Sequence, residues 1–304
     1  MSRRPRGGRA VAALALLGAL GVAAFLLLTR ARALDATALP DYTPDKARGE
    51  VLFHAGSCGS CHRAADDAPG AVEGLPTGSA AFPTPIGVFY PGNLTPDEVT
   101  GIGGWSELDF VNAMTRGISP DGVHYFPAFP YASFRLMPFE DVLDIRAYLM
   151  SLPAVRSPRQ EPGVPAAGLA RRGVGLWKRV ALDDRRFEPD PERSASWNRG
   201  AYLANGPGHC GECHTPRTWM MATDESRHMA GGPHPGGEGD VPNLTGLVTR
   251  GRYKDVADLT LALQFGETFG YDKLSSGGMA EIQMNLAELP EEELRAIAEY
   301  LLSL

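Results

Sequence analysis

Long hydrophobic runs are nearly absent from this 304-residue sequence, since only one, Val11 to Leu28, is long enough to cross a bilayer. A single run of this kind excludes a polytopic membrane protein. Residues 1–32 contain six arginines and no acid, so the rest of the chain carries 23 Lys and Arg against 36 Asp and Glu. This acidic remainder repels phosphate, which excludes a nucleic-acid-binding function.

Disorder is also excluded, because 43% of the residues are hydrophobic and only 21% are charged. The 36 glycines and 25 prolines show no G-x-y repeat. They favour short helices joined by long loops over a regular sheet sandwich.

Residues 1–34 are predicted to be a membrane anchor or a signal segment. Four arginines precede the apolar run, whose length as a helix is about 27 Å. The positive flank stays in the cytoplasm, so the rest of the chain is exported. Ala31-Arg32-Ala33 fits a signal-peptidase site and leaves cleavage open. Arg30, directly after the run, favours an uncleaved anchor in a bacterial inner membrane with the body in the periplasm. The alternative is a soluble periplasmic protein.

Cysteine is equally scarce, and its four copies lie in two motifs, Cys58-Gly-Ser-Cys61-His62 and Cys210-Gly-Glu-Cys213-His214. C-x-x-C-H is the attachment sequence for c-type haem. Thiols three positions apart on one helical turn can bond to the two vinyl groups of haem, and the adjacent His then faces the iron. The sequence therefore predicts two covalently bound haem c groups, held by Cys58, Cys61, Cys210 and Cys213, with His62 and His214 as axial ligands.

Other uses of paired cysteines fit the sequence less well. A zinc ribbon separates its two pairs by about 15–20 residues, whereas 148 residues separate Cys61 from Cys210. A thioredoxin-type pair follows a strand, and no strand pattern precedes either motif. Disulfides are compatible with an exported protein but do not need a His after each pair.

The amino-acid sequence around the two motifs repeats, which predicts duplicated domains. Arg48-Gly49 and Arg199-Gly200 precede the motifs, and Asn-Leu-Thr follows each motif at residues 93–95 and 243–245. Each half ends in a helical pattern that begins after a proline, Pro138 or Pro290. We expect an all-α fold with domains at 35–156 and 192–304. A Pro-rich stretch between them, 157–191, is predicted to be an extended linker.

Three segments resemble a known family: residues 101–106, residues 125–131 and Gly208 to Arg217. They are similar to stretches in membrane-anchored dihaem cytochromes c, including the cytochrome subunits of alcohol and gluconate dehydrogenases. The resemblance covers about residues 40–155 and 192–304. It implies two tandem class I cytochrome c-type domains after an N-terminal transmembrane helix, each with a partly exposed haem edge.

A class I haem takes Met opposite its His, and the resemblance implies that this Met precedes the closing helix. In the second half the candidate is Met279, with Met284 as its competitor. In the first half Phe129 stands where relatives carry Met, so Met137 is the candidate. His124 is a possible alternative axial ligand. A further alternative is a first haem whose sixth coordination position is open.

Further expectations concern residues near the motifs. Thr43 is expected to cap the first body helix, and Ser106 to open the middle one. His54 and His209 are expected at a haem edge, and Arg217 is expected to pair with a haem propionate. Two tryptophans are expected to pack on a haem or on the core, Trp105 and Trp219.

The leading function is one-electron transfer between a periplasmic dehydrogenase or quinol-oxidising complex and an oxidase or soluble cytochrome. This makes the chain an electron carrier rather than an enzyme. A permanent electron-transfer subunit of an oxidoreductase differs from a free carrier only in its assembly. The alternative is a dihaem enzyme, peroxidase-like or oxidising sulfur oxyanions, with an open position on the first haem. The absence of a fifth cysteine disfavours the sulfur-oxidising version.

Overall fold

The computed structural model describes residues 6–64, 72–158, 160–164, 166–237, 239–266 and 279–304. It begins with helix α1 (Arg6–Leu28). Within these ranges, the part of α1 from Gly8 to Leu28 is the one helix long and apolar enough to cross a membrane. That part is not buried against the protein. The predicted N-terminal apolar helix is therefore present, and its surface suits an apolar surrounding.

The first half of the body consists of short helices joined by loops, with one small hairpin. Its strands pair antiparallel, with Phe82 opposite Phe89. The elements in chain order are α2 (Lys46–Ala55), α3 (Cys58–Cys61), β1 (Phe82–Thr84), β2 (Gly87–Phe89), α4 (Glu107–Arg116), α5 (Tyr131–Phe134) and α6 (Phe139–Met150).

The second half repeats most of this order, again with a short antiparallel hairpin in a loop. Its elements are α8 (Ala195–Asn205), α9 (Gly211–His214), β3 (Gly232–Pro233), β4 (Asp240–Val241), α10 (Val256–Phe265), α11 (Met279–Leu286) and α12 (Glu291–Leu302). The mostly helical body agrees with the predicted all-α class.

The segment between the halves is not extended throughout, which corrects the expectation for this linker. It contains helix α7 (Ala167–Ala181), preceded by a stretch in which the Gly163 N–H donates to the Val88 carbonyl at 2.8 Å. The prolines of the segment flank the helix and do not interrupt it. Proline density therefore marks the ends of α7 rather than an absence of helix.

Several helices begin where local signals predict. The Ser106 side chain accepts from the Asp109 N–H at 3.1 Å, while the Asp109 carboxylate accepts from the Ser106 N–H at 3.0 Å. This reciprocal pair is a capping box at the start of α4. Pro138 and Pro290 stand directly before α6 and α12, as expected.

The cap of α2 lies two residues later than expected. Asp45 rather than Thr43 caps the helix, because its carboxylate accepts from the N–H groups of Ala47 and Arg48 at 2.9 and 3.2 Å. A carboxylate at this position also interacts favourably with the helix dipole.

The first and last helices of each half cross at a glycine. A Cβ on Gly49 of α2 would lie 1.9 Å from the carbonyl oxygen of Asp144 in α6. A Cβ on Gly200 of α8 would lie 1.8 Å from the carbonyl oxygen of Ala296 in α12. Only glycine permits this close approach. The repeated Arg-Gly pair therefore marks the same helix crossing in both halves.

One apolar core runs through both halves, joining buried residues such as Leu52 and Leu203. A polar contact crosses the same boundary, where the Tyr202 hydroxyl donates to the buried Asp141 carboxylate. Arg48 lies 3.2 Å from that carboxylate. The halves are therefore joined by packing and by a paired buried charge.

Candidate haem-binding sites

The first motif lies on α3, directly after α2. Its Cys58 and Cys61 stand one turn apart, and the His62 N–H donates to the Cys58 carbonyl at 2.9 Å. The His62 Nδ1 lies 2.7 Å from the carbonyl oxygen of Gly92. A carbonyl can only accept, so Nδ1 carries the proton and Nε2 keeps its lone pair. Nε2 is thereby prepared to bind a metal ion.

The second motif has the same arrangement. The His214 N–H donates to the Cys210 carbonyl at 2.9 Å, and its Nδ1 lies 2.8 Å from the Pro242 carbonyl oxygen. Burial lowers the pKa of both His62 and His214, which favours the neutral imidazole that ligates metal. Both motifs therefore present one free imidazole nitrogen.

The repeated Asn-Leu-Thr segments explain where these carbonyls come from. Each carbonyl belongs to the residue just before the Asn, namely Gly92 and Pro242. Each Asn side chain accepts from the N–H of the Thr two residues later, at 2.9 Å in Asn93 and 2.7 Å in Asn243. The segment is therefore a loop that orients the motif histidine in each half.

No disulfide joins the four motif cysteines. Before a haem is attached, burial raises the pKa of Cys58 and of Cys210 to about 12 and that of Cys61 to about 11. Unattached thiols of this kind stay protonated near neutral pH, unlike a thioredoxin-type nucleophile. Within the described residues, no three His, Cys, Asp or Glu side chains are grouped to hold a metal ion.

The two motifs touch one another across the boundary between the halves. The His209 Nε2 donates to the Gly56 carbonyl at 3.2 Å, so the residue before Cys210 reaches the loop before Cys58. The ring of Phe134 meets the His209 ring edge-on, with centroids 5.6 Å apart. His209 adopts a left-handed backbone with φ of 41°. His209 therefore lies at the interface of the two motif loops.

Helix α11 forms a second bridge between the halves. The Asn285 amide donates to the Ser60 Oγ at 2.8 Å, and Ser60 donates to the Glu281 carbonyl at 3.1 Å. Ser60 lies between the two cysteines of the first motif. A helix of the second half therefore packs against the first motif.

The two candidates for the distal ligand in the first half lie in different surroundings. Met137 is completely buried within the apolar core, two residues before α6. His124 is also buried, and its Nε2 lies 3.1 Å from the Thr29 carbonyl just beyond α1. This places the imidazole at the junction of α1 and α7.

In the second half, Met279 is the first residue of α11 and is partly buried. The residues before it, including Gly277 and Gly278, lie outside the described residues. Met284, its competitor, is 60% exposed. Met229 is completely buried, as a core residue.

One expectation about residues near the motifs needs correction. Trp219 is 91% exposed and does not pack on the core, because its loop lies at the protein surface. The Arg217 guanidinium donates to the Glu212 carboxylate at 2.7 Å. Trp105 does pack against the apolar core. His54 is partly buried at the end of α2.

Comparison with known proteins identifies the family. Residues 46–153 match the family model of cytochrome c. A diheme cytochrome c-type protein of Cereibacter sphaeroides is 40% identical over 285 residues, which span 92% of each chain. The chain belongs to the cytochrome c family. Its cofactor is covalently bound haem c and its function is electron transfer.

Dehydrogenase subunits are also similar to this cytochrome. The fructose dehydrogenase cytochrome subunit of Gluconobacter japonicus is 33% identical over 279 residues, covering 90% of this chain and 55% of that protein. The gluconate 2-dehydrogenase cytochrome c subunit of Pantoea cypripedii is 34% identical over 270 residues, covering 84% and 59%. The cytochrome thus spans little more than half the length of these two subunits. The predicted similarity to dehydrogenase cytochrome subunits is confirmed.

The residues around the first motif fit a haem. The hydroxyls of Ser57 and Thr77 are buried and have no hydrogen-bond partner among the described residues. Ser57 precedes Cys58, and Thr77 precedes Gly78, whose N–H donates to the His62 carbonyl. Orphaned buried hydroxyls are uncommon, so their presence beside the motif fits a bound group with polar substituents. The thiol pair and the His62 Nε2 would supply the remaining contacts.

Sequence reasoning missed two features of these sites. One is the Gly92 and Pro242 carbonyls, for which the matched Asn-Leu-Thr segments were the available signal. The other is the set of contacts made by His209 and Ser60 between the halves. Those contacts depend on how the halves dock, and the local sequence carries no signal for them.

Proposed function

We propose that this cytochrome holds two haem groups and passes single electrons in the periplasm. Cys58 and Cys61 attach the first group, and Cys210 and Cys213 attach the second. The observation that carries the proposal is the repeated orientation of His62 and His214, each with Nδ1 held by a loop carbonyl. Each His supplies Nε2 to one iron, and the bound haem supplies the change of oxidation state.

Met137 and Met279 are proposed as the second axial ligands. A thioether opposite His favours the reduced iron and raises the reduction potential. The complete burial of Met137 supports this role, because a dry surrounding also raises the potential by disfavouring the extra charge of the ferric form. With Met137 and Met279 in these roles, protein side chains would fill both positions and leave none for a substrate.

The proposed units are residues 35–156 and 192–304, with 157–191 between them. Electron exchange between the two groups is supported by the direct contact of the motif loops. His209 donates to Gly56, so no solvent layer separates the loops at this point, and Asn285 of α11 donates to Ser60 of the first motif. Close, rigid placement of donor and acceptor favours fast exchange.

The partner is proposed to be a periplasmic dehydrogenase, in line with the named relatives. Helix α1 retains the protein at the inner membrane, and its positive flank keeps residues 1–9 in the cytoplasm. The acidic body favours a docking partner with a basic surface. An oxidase or a soluble cytochrome accepts the electrons. A quinol-oxidising complex is the other proposed donor.

The proposal is tested with periplasmically matured protein. Mass spectrometry is expected to find two haem groups per chain, and electron paramagnetic resonance to find both ferric irons low-spin. Met137→Leu and Met279→Leu should each convert one haem to high-spin and lower its potential. Met229→Leu is the matched control, since Met229 is equally buried but is assigned no iron.

Other results would change the assignment. The axial ligand of the first haem would be His124 rather than Met137 if two results were found together. Met137→Leu would keep both haems low-spin, and His124→Asn would convert one haem to high-spin. A high-spin haem in the unaltered protein that binds cyanide or peroxide would favour the dihaem enzyme. Copurification of a dehydrogenase that survives high salt would indicate a permanent subunit, since a charge-steered contact dissociates there.

A further inference from the structure

Helix α7 exposes its apolar side. Leu169, Leu176 and Val180 are 67%, 43% and 66% exposed. Their spacing of seven and four residues places them on one side of an α-helix. Gly173 is exposed on the same side, so no bulky polar group interrupts this apolar stripe. A helix that faces water shows the opposite pattern.

Three of the four cations of α7 contact the protein, namely Arg171, Lys178 and Arg179, whereas Arg172 is exposed. Lys178 donates to the carbonyls of Arg116 and Gly117 at 2.7 and 2.8 Å, and its ammonium lies 4.2 Å from the centre of the Tyr131 ring. Arg171 donates to the His124 carbonyl at 2.9 Å. The orientation of α7 is therefore fixed by polar contacts, and the exposure of its apolar stripe follows from them.

The end of the apolar helix α1 contacts α7 directly. Arg179 donates to the Leu28 carbonyl, the last residue of α1. A Cβ on Gly175 would lie 2.7 Å from the Thr29 carbonyl oxygen, so α7 approaches the chain closely at this point. Thr29 is itself buried. The apolar stripe therefore belongs to a helix held where the apolar surface of α1 ends.

A loop of the second half extends the exposed apolar surface near α7. The Trp177 Nε1 donates to the Met220 carbonyl at 2.9 Å. The neighbours of Met220 are both highly exposed, Trp219 at 91% and Met221 at 59%. Tryptophan is enriched where proteins meet the boundary between lipid and water.

We propose that α7 lies on the bilayer surface, with its apolar stripe in the boundary between lipid headgroups and acyl chains. This inference rests on the proposed anchoring by α1, which fixes α7 at the depth where the apolar span ends. α7 contains four cations and no acid, and its exposed Arg172 suits an anionic headgroup. Contact with the bilayer at both α1 and α7 holds the haem-bearing body in one orientation on the membrane.

The test measures thiol accessibility in the full-length haem protein in nanodiscs that contain anionic lipid. Leu169→Cys is compared with Val99→Cys, a matched control, since Val99 is 71% exposed and lies in a loop of the first half. A bulky water-soluble maleimide is the probe. The protein without an added cysteine is the blank, and labelling after denaturation gives the total. Haem absorbance verifies folding, and Val180→Cys replaces Leu169→Cys if that variant does not fold.

Leu169→Cys is expected to react at least about tenfold more slowly than Val99→Cys, because lipid covers it. Equal rates in protein that stays with the nanodiscs would overturn the inference about α7 and leave the anchor intact. Release of the protein from the nanodiscs would overturn the anchor and this inference together. Slow labelling with an oxidative Leu169→Cys dimer would assign the stripe to a second copy of the chain and also overturn it.

Discussion

At the scale of single residues, the sites depend on which atom of a side chain is left available. His62 and His214 each use Nδ1 on a carbonyl, and only Nε2 remains. The spacing of the cysteines and histidines was predictable, because covalent attachment is a requirement of local chemistry. The two carbonyls come from main-chain atoms, which any residue type provides. Their identity therefore emerges only from the folded loops.

Lys178 shows how burial changes a single group. Burial lowers the pKa of its ammonium to about 7, although two carbonyls accept its hydrogen bonds. The unfolded chain restores the ordinary lysine pKa of about 10.4 and so binds more protons between these values. The free energy of unfolding should therefore rise with pH across this window, by up to about 4 kcal/mol from this group.

Denaturation by guanidinium at about pH 6 and about pH 9 measures this rise. Lys178→Met should flatten it, while Lys254→Met, at an exposed position, should leave it unchanged. An unaltered pH dependence in Lys178→Met would show that Lys178 is charged in the folded protein throughout. The pKa of His124 is lowered by burial and by the Lys178 charge, so the comparison is made in a His124→Asn background.

At the scale of elements, sequence signals located the helices that carry caps and flanking prolines. The capping box at Ser106 and the prolines before α6 and α12 are of this kind. Helix α7 was missed because its surroundings are rich in proline and its apolar stripe faces outward. Hydrophobic periodicity in a sequence identifies the apolar side of a helix, but it does not show whether protein, lipid or water covers that side. Two tandem domains were predictable from repetition, whereas their docking was not.

The glycines at the helix crossings give a prediction at this scale. Gly200→Ala and Gly49→Ala should each destabilise the protein by about 3 kcal/mol or more, because the new methyl group overlaps a carbonyl oxygen of the facing helix. Gly173→Ala is the control, since no atom lies within 4 Å of the added Cβ. That change should be neutral or stabilise the helix by up to about 1 kcal/mol.

Chemical denaturation followed by circular dichroism measures these differences. Equal stability of Gly200→Ala and Gly173→Ala would mean that α8 and α12 do not cross at this distance. The same helix crossing occurs in both halves. If Gly49→Ala lowered the free energy of unfolding and Gly200→Ala did not, the proposed equivalence of the halves would be contradicted.

At the scale of the whole molecule, the two halves share one apolar core rather than packing as separate domains. Buried residues of both halves belong to one apolar cluster, and the Tyr202 hydroxyl donates to Asp141 across the boundary. Domains linked only by a flexible segment unfold independently, whereas a shared core couples their unfolding. The same docking brings the two haem motifs together. Stability and the proposed electron exchange between the two haem groups therefore depend on one interface.

Unfolding of the haem-loaded protein in detergent should thus be a single transition. Calorimetry is expected to show one peak, with the loss of helix and the change in haem absorbance at the same temperature. Tyr202→Phe should lower the free energy of unfolding by about 1–3 kcal/mol, because the buried Asp141 carboxylate loses a donor. The transition should move to lower temperature for both haems together. Two resolved peaks in the unaltered protein would contradict the coupling.

Tyr148→Phe provides the matched control for that change. Tyr148 also packs its ring in the first half, 5.2 Å from the ring of Phe53, and its hydroxyl makes no hydrogen bond among the described residues. Removing this hydroxyl should change the free energy of unfolding by less than about 0.5 kcal/mol. A similar loss in both variants would assign the effect to the removal of any tyrosine hydroxyl rather than to the contact between the halves. A loss confined to Tyr202→Phe would place the coupling at Asp141, next to Arg48 and the crossing of α2 with α6.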